Sequence, residues 1–304
     1  MRNRSPLISN QTRSVIVAMV TILTWSAAFP VTRFLLDHYS PGAIMVLRFI
    51  LASIILIAMG IVKKIRLPEL RDLPLFFLFG VGGVFAYNFF FNTGAAHVVS
   101  GVGSFIIASS PIFTAMWARL FLKESMKPMA WFGIALSFCG LTVIMASQIV
   151  GFAFNIGILL LFCAALSDSV ISISQRLLVR KYTALESTTY AIIIGTLCML
   201  IYLPDGIAEL RVSTLPANLA LVFLAVFPAV VAYVAWAYAL SKAEKTAHVT
   251  VFLYLLPFSA SLIGFLWLGE TFSIWSFLGG VVIIGGMILT NVFGRAKQAS
   301  SPGK

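Results

Sequence analysis

Charged residues are scarce in this chain. Only 10% of its 304 residues are Asp, Glu, Lys or Arg, whereas a soluble domain carries about 25%. Hydrophobic residues make up 60%. They form runs of about twenty residues, the length at which a helix crosses the hydrocarbon core of a bilayer. The composition excludes an ordinary soluble domain and indicates a polytopic membrane protein.

Motifs for catalysis and metal binding are also missing. The three cysteines, Cys139, Cys163 and Cys198, lie in apolar runs without CxxC spacing, which favours free thiols over disulfides or a metal site. The sequence has no HExxH, GxSxG or Walker A motif, so it favours neither a protease nor direct use of ATP. It also lacks a TVGYG filter. We expect no catalytic residue, metal or cofactor, and keep a channel or an intramembrane enzyme as less favoured alternatives.

The apolar runs predict ten membrane spans, and the charges of the loops predict their direction. Ten spans place both termini on one side, where the tails and loops hold nearly all Lys and Arg, while the opposite loops hold Arg211 alone. Because basic loops stay in the cytoplasm, we predict cytoplasmic termini in the inner (plasma) membrane. This pattern explains the net charge of +11 without a nucleic-acid partner. The predicted spans are 14–36, 42–62, 73–92, 97–121, 128–147, 154–178, 186–204, 217–240, 247–268 and 274–293.

The two halves of the chain repeat each other. A shift of 146 residues aligns Phe77 with Phe223, Tyr87 with Tyr233, Pro111 with Pro257 and Glu124 with Glu270, and near the start a shift of 143 aligns Arg33 with Arg176 and Tyr39 with Tyr182. A shared offset over a long stretch marks a repeat. Because each half holds five spans, the second half enters the membrane from the opposite side. The sequence therefore predicts an all-α, 5+5 inverted repeat around a central cavity, with halves at 12–147 and 154–294 and short tails at 1–11 and 295–304.

Several of these stretches resemble the drug/metabolite transporter superfamily, in the type with two EamA domains. The resemblance rests on "WSAAFPVTR" from Trp25, "SPGAIMVLRF" from Ser40, the two prolines and the two "LxLxE" ends that close with Glu124 and Glu270. In the second half, Asp168 stands where the first has Trp25. The resemblance implies a ten-helix carrier, often an exporter of amino acids or other metabolites, whose spans 1, 3, 4, 6, 8 and 9 line the cavity.

We expect the substrate to contact polar and aromatic residues at mid-depth of those spans. Pro111 and Pro257 occupy matching positions in spans 4 and 9, where each removes a backbone donor, so both are predicted to kink a helix beside the cavity or merely to kink it for packing. An aromatic cavity with few charges suits an amphipathic solute. The candidate binding residues are Trp25, Tyr87, Asn88, Phe91, Ser110, Asp168, Ser172, Tyr233, Trp236 and Tyr254.

Asp168 is the one acid placed deep in a predicted span. An ionisable group in a membrane is costly and often functional. It either binds a substrate ammonium or carries a proton, or else it forms a structural pair with Arg33 or Arg48. Those arginines are otherwise expected to extend to the interface.

Other residues are predicted to hold the structure together. Glu124 and Glu270 end a span and precede the next, so we expect them to cap spans 5 and 10. Glycines in those same spans predict close helix packing and leave a homodimer contact open. Together the features favour a secondary transporter that moves small amphipathic or aromatic metabolites by alternating access, with export favoured and proton coupling left open. The alternative is uptake of a nucleoside-, vitamin- or cofactor-like solute.

Overall fold

A computed structural model describes residues 10–121, 127–147, 155–242, 253, 255–271 and 273–289. These residues are almost entirely helical, and no β-strand occurs among them. The helices are α1 (Asn10–Leu35), α2 (Pro41–Lys63), α3 (Leu70–Ala95), α4 (Ser100–Ile107), α5 (Ser110–Phe121), α6 (Pro128–Ser147), α7 (Ile156–Leu178), α8 (Ala184–Val212), α9 (Leu215–Leu224, Ala225–Val231 and Ala232–Lys242), α10 (Leu256–Leu268) and α11 (Ile274–Ile288).

Six of the described helices are long and apolar enough to cross a membrane, judged by length and composition. Their segments are Ile16–Leu35, Pro41–Lys63, Leu70–Ala95, Ile156–Leu178, Ala184–Val212 and Leu215–Ala239. Shorter apolar helices occur at Ser100–Thr114, Trp131–Gly140, Leu256–Leu268 and Phe277–Gly286. The chain is therefore an all-α, multi-pass membrane protein.

Helix starts follow from local capping chemistry. The Ser40 side chain accepts a hydrogen bond from the backbone N–H of Ala43 and begins α2. Thr183 and Glu186 form a capping box at the start of α8. Each satisfies a backbone N–H that has no partner inside the helix. These caps fix where the chain turns from a loop into a span.

Two helices contain π-helical segments at corresponding places. In α3 the segment is Leu78–Phe85, and in α9 it is Ala225–Val231. Such a segment has i→i+5 hydrogen bonds, so the carbonyls in and just before it pair one residue further along the chain than in an α-helix. Side chains donate to three of these carbonyls: Asn88 to Val84 at 2.8 Å, Trp25 to Pro228 at 3.2 Å, and Arg48 to Leu224 at 3.1 Å. Apolar periodicity alone did not predict either segment, because one additional residue barely disturbs the pattern.

Helices α6 and α11 pack closely along their glycines. A Cβ atom placed on Gly140 would lie 2.5 Å from the Gly279 carbonyl oxygen, and one on Gly286 would lie 2.4 Å from that of Gly133. The Ser137 hydroxyl donates to the Ile283 carbonyl at 3.1 Å across the same interface. The predicted close packing is thus found within one chain. These glycines are covered by each other and do not supply a homodimer surface.

Two hydrogen bonds join residues separated by the repeat offsets. The hydroxyls of Ser53 and Thr196 lie 2.9 Å apart in the interior, and these residues are 143 apart in sequence. Ser137 and Ile283, which also contact one another, are 146 apart. Contacts between repeat-related residues are expected along a two-fold axis that relates two halves.

Candidate transport site

One predicted aromatic residue, Trp25, contacts two others in the interior of the bundle. The Trp25 ring on α1 lies 5.8 Å from the Tyr233 ring and 5.4 Å from the Trp236 ring, both on α9. Its indole N–H donates to the Pro228 carbonyl of the α9 π-helical segment. On α3, the rings of Tyr87 and Phe91 are stacked at 5.6 Å, and Phe91 also meets Phe29 edge-to-face. The rings are held in fixed orientations by packing and by this hydrogen bond.

Asp168 lies on α7 and is partly exposed. The Ser110 hydroxyl, at the start of α5, donates to its carboxylate at 2.5 Å. Tyr87 and Tyr233 both lie within electrostatic range of the carboxylate. In the part of the chain that the structure describes, no Lys, Arg or His nitrogen lies within 4.0 Å of Asp168. The structure thus brings Ser110 to Asp168, with Tyr87 and Tyr233 within electrostatic range, and among the described residues the carboxylate has no cationic partner.

The two arginines considered as partners of Asp168 are bound elsewhere. Arg33 donates to the carbonyls of Ala95 and Ala96 at 3.3 and 2.8 Å, at the C-terminal end of α3. A cation there stabilises the unpaired carbonyls of the helix end. Arg48 is 5% exposed and donates to the Leu224 carbonyl and, at 3.5 Å, to Asn88. Neither the predicted pair with Asp168 nor the predicted extension of Arg48 to the interface is found.

The burial of Arg48 could have been expected from its place in the sequence. Arg48 follows Pro41, the first residue of α2, by seven positions, which places it about 10 Å from the start of that helix. That depth is large for a side chain reaching the interface. Asn88, predicted to bind substrate, is 1% exposed and uses its oxygen and nitrogen on Arg48 and Val84. It therefore belongs to the buried arginine network in this structure.

The two prolines both stand at helix starts. The turn at Ala108–Ser109 interrupts predicted span 4, and Pro111 is the second residue of α5. Pro257 is likewise the second residue of α10, and the residues at 243–252 lie outside the described part. The Pro257 carbonyl accepts hydrogen bonds from the Ser261 and Ser104 hydroxyls. The break before Pro111 positions Ser110 to meet Asp168.

Glu270 caps a helix, but not the predicted one. Its carboxylate accepts a hydrogen bond from the backbone N–H of Ser100 at 2.9 Å, at the start of α4. The prediction that it caps span 10 (α11) is wrong because the chain folds the loop after α10 back onto a helix distant in sequence. Glu124 and Tyr254 lie outside the described residues. Ser172 is partly buried one turn beyond Asp168.

A separate cavity of about 310 Å³ opens at one end of the bundle. It lies between the start of α2, the C-terminal part of α3 and the last part of α8. None of the predicted binding residues lines it. Its lining residues are Ser40, Pro41, Gly42, Met45, Phe89, Thr93, Tyr202 and Asp205.

Comparison with known proteins identifies the family. The model of the EamA-like transporter family matches the chain twice, at residues 12–146 and 155–292. The chain belongs to the EamA-like transporter family. The two matches together cover most of the transporter's length.

Curated relatives of this EamA-like transporter span nearly its whole length. The uncharacterized transporter YdfC of Bacillus subtilis is 35% identical over 88% of the chain and 87% of the relative. A probable terminal-alkyne amino-acid exporter of Streptantibioticus cattleyicolor is 32% identical over 96% and 98%. The uncharacterized inner membrane transporter YedA of Escherichia coli is 26% identical over 88% and 87%. The family and these relatives point to a transporter rather than an enzyme.

The fold is also found in a solved crystal structure. That structure aligns with a TM-score of 0.65 over 95% of this chain and 99% of the other, at 18% sequence identity. At this identity the likeness concerns the fold alone. The chain is thus a multi-pass membrane transporter of the EamA family.

Proposed function

We propose that this transporter is a secondary carrier that exports small, amine-bearing amphipathic metabolites, with aromatic or other neutral amino acids as the favoured class. The observation that supports this most directly is Asp168, which accepts a hydrogen bond from Ser110 beside Tyr87 and Tyr233 and has no cation within 4.0 Å in the described part of the chain. A substrate ammonium would supply the missing positive charge. The Trp25, Tyr233 and Trp236 rings would contact its apolar part.

The proposed carrier consists of two five-helix halves, 12–147 and 154–294, in opposite orientations. Three features of the molecule support this arrangement: the Ser53–Thr196 and Ser137–Ile283 contacts at the repeat offsets, and the matching π-helical segments of α3 and α9. Inverted halves allow one to rock against the other around a central site. We place the carrier in the plasma membrane with cytoplasmic termini and short tails at 1–11 and 295–304.

Export rests on one relative and on the chemistry of the site. The Streptantibioticus protein is named a probable amino-acid exporter and matches over nearly its full length. An aspartate that is free of ion pairs can alternate between a proton and a substrate ammonium, so that inward movement of a proton would drive outward movement of an amine. Proton coupling is therefore part of the proposal.

The first experiment finds a ligand and the second tests Asp168. Purified wild-type protein is screened by thermal shift against amino acids, nucleobases and vitamins, because a bound ligand stabilises the state that it binds. Counterflow of the best radiolabelled amino acid is then measured in proteoliposomes. Asp168→Asn keeps the side-chain shape and removes the charge. It should lower apparent affinity for the amine by about 10- to 100-fold, the loss of a charge-assisted hydrogen bond.

The matched control replaces an exposed carboxylate. Asp37→Asn changes an acid in the loop after α1 and should leave counterflow unchanged. Counterflow and pH dependence that survive Asp168→Asn would remove both the ammonium and the proton role. Chemical conversion of the added solute, or flux without saturation, would instead indicate an enzyme or a channel.

A further inference from the structure

At one end of the bundle, charged and hydrogen-bonding groups around a tyrosine connect the start of α3 to the segment between α7 and α8. The Tyr182 hydroxyl, in the connection between α7 and α8, donates to Asp72 at 2.6 Å and accepts from the backbone N–H of Glu69 at 3.0 Å. Lys181 contacts the carboxylates of Asp72 and Glu69, both at 2.6 Å. The hydrogen bond from Lys181 lowers the pKa of the Glu69 carboxyl below the usual value for glutamate. We call Glu69, Asp72, Lys181 and Tyr182 the inner cluster.

The other end of the bundle carries a similar but uncharged contact. The Tyr39 hydroxyl, in the connection between α1 and α2, donates to the Asn218 side-chain oxygen. The adjacent Ser40 N–H donates to Glu209 at 2.8 Å. Tyr39 is 3% exposed and Tyr182 is 6% exposed, so both rings are buried. We call Tyr39, Ser40, Glu209 and Asn218 the outer cluster.

The two tyrosine hydrogen bonds are related by the internal repeat. Tyr182 follows Tyr39 by 143 residues (182 − 39), and Asn218 follows Asp72 by 146 (218 − 72). Both differences are offsets that align the halves. The clusters lie at opposite ends of α2, which begins next to Tyr39 and ends at Lys63. Its 23 residues span about 35 Å.

Each tyrosine holds the first residues of a helix that leads to the candidate transport site. Asp72 immediately precedes the α-helical part of α3, and Asn218 lies in the first turn of α9. The π-helical segment of each helix follows, and then Tyr87 on α3 or Tyr233 on α9. A π-helical segment is a place where a helix can bend. Release of the tyrosine would free the helix end, and the bend would transmit its movement to the tyrosine near Asp168.

We propose that the inner and outer clusters are the two gates of the transport cycle, opened in turn, with α3 and α9 as the moving helices. This proposal rests on the carrier function proposed above. The gates differ in charge: Asp72 and Lys181 make the inner gate ionic, whereas the corresponding outer positions hold Asn218 and His38. Charge-assisted hydrogen bonds are stronger than neutral ones. The tyrosine hydrogen bond is therefore the stronger one at the inner gate, while both gates contain a carboxylate, since Glu209 accepts from the Ser40 N–H at the outer one.

The test measures both ends of the full-length protein in lipid nanodiscs without substrate. The three native cysteines are replaced by alanine, and spin labels are attached in two separate pairs. Leu70 and Arg180 report across the inner cluster, and Asp37 and Leu219 across the outer one; all four are exposed. Distances between labels are measured by electron paramagnetic resonance in each variant.

Weakening one gate should open that end and close the other. Asp72→Asn, which gives the inner cluster the amide of the outer one, should raise the open-to-closed ratio at the inner label pair by about threefold to tenfold and lower it at the outer pair. Tyr182→Phe should act in the same direction. Tyr39→Phe should have the opposite effect at both pairs. Ser53→Ala, which removes an interior hydrogen bond outside both clusters, should move neither pair.

A gate should change the label distances at both ends in opposite directions, whereas a purely local contact should change only the distance at its own end. If Asp72→Asn and Tyr182→Phe broaden only the inner distance, or if folded, monodisperse variants leave both distances unchanged, the proposal is wrong. Because the measurement needs no substrate, it is independent of the proposed solute. Counterflow that persists in the variants without any distance change would reject the gates and keep the carrier. Reciprocal distance changes in a protein that shows no counterflow would support the gates and reject the proposed solute.

Discussion

At the scale of single residues, the structure separates the acids by what they contact. Asp168 accepts a hydrogen bond from the Ser110 hydroxyl, whereas Glu270 accepts one from the backbone N–H of Ser100. The sequence could predict that Glu270 acts as a cap, because it precedes a helix in a hydrophobic setting. It could not predict which helix, since the contact joins residues 170 apart in the chain. Such a contact depends on how the helices pack.

Removal of the Glu270 carboxylate should destabilise the protein without altering transport. Glu270→Ala leaves the Ser100 N–H without its acceptor, and loss of a cap costs about 1 kcal/mol. Thermal unfolding in detergent should show a lower Tm, by about 1–4 °C. Asp37→Ala, an exposed acid, is the control and should change the Tm little. Equal Tm values for the two variants would contradict the capping role.

At the scale of helices, the ends of a helix were predicted more accurately than the turns and π-helical segments within it. Span 2 was predicted at 42–62 and the helix is Pro41–Lys63, because the Ser40-Pro41-Gly42 start and the Lys63-Lys64 end both appear in the sequence. The interruption predicted at Pro111 occurs as a turn at Ala108–Ser109 just before it, but the two π-helical segments were not predicted. These segments arise from hydrogen bonds that shift by one position within an apolar run. The apolar pattern is almost the same with or without that shift.

Adjacent glycines on α11 provide a test of the interface with α6. A Cβ atom on Gly286 would lie 2.2 Å from the Ser137 hydroxyl oxygen, whereas one on Gly285 would meet nothing within 4 Å. Gly286→Ala should therefore lower stability by about 1–3 kcal/mol through overpacking. Gly285→Ala should be neutral or stabilising, since alanine favours helix by about 1 kcal/mol over glycine. The ratio of folded to aggregated protein after heating distinguishes the two, and similar losses in both variants would place the interface elsewhere.

At the scale of the whole molecule, charge divides the two ends of the bundle. The loops predicted to face the cytoplasm carry most of the basic residues, and the loops predicted on the opposite side carry Asp37, Asp205, Glu209 and Glu270 with Arg211 as the one Lys or Arg. The asymmetry could be counted from the sequence. What the sequence could not provide is the pairing of Asp72 with Tyr182 and of Asn218 with Tyr39 across the bundle. Those pairs join segments that are more than one hundred residues apart.

The charge difference predicts the orientation, which single cysteines can test. Leu67 and Val212 are 81% and 84% exposed and lie at opposite ends of the bundle, next to the inner and outer clusters respectively. In a chain without its native cysteines, Val212→Cys should react with a membrane-impermeant maleimide in intact cells. Leu67→Cys should react only after the membrane is permeabilised, because the basic loops are retained in the cytoplasm. The reverse result would invert the orientation and place the ionic gate outside. Equal labelling at both sites in intact cells, with a cytosolic cysteine protein unlabelled, would contradict a fixed orientation of the carrier.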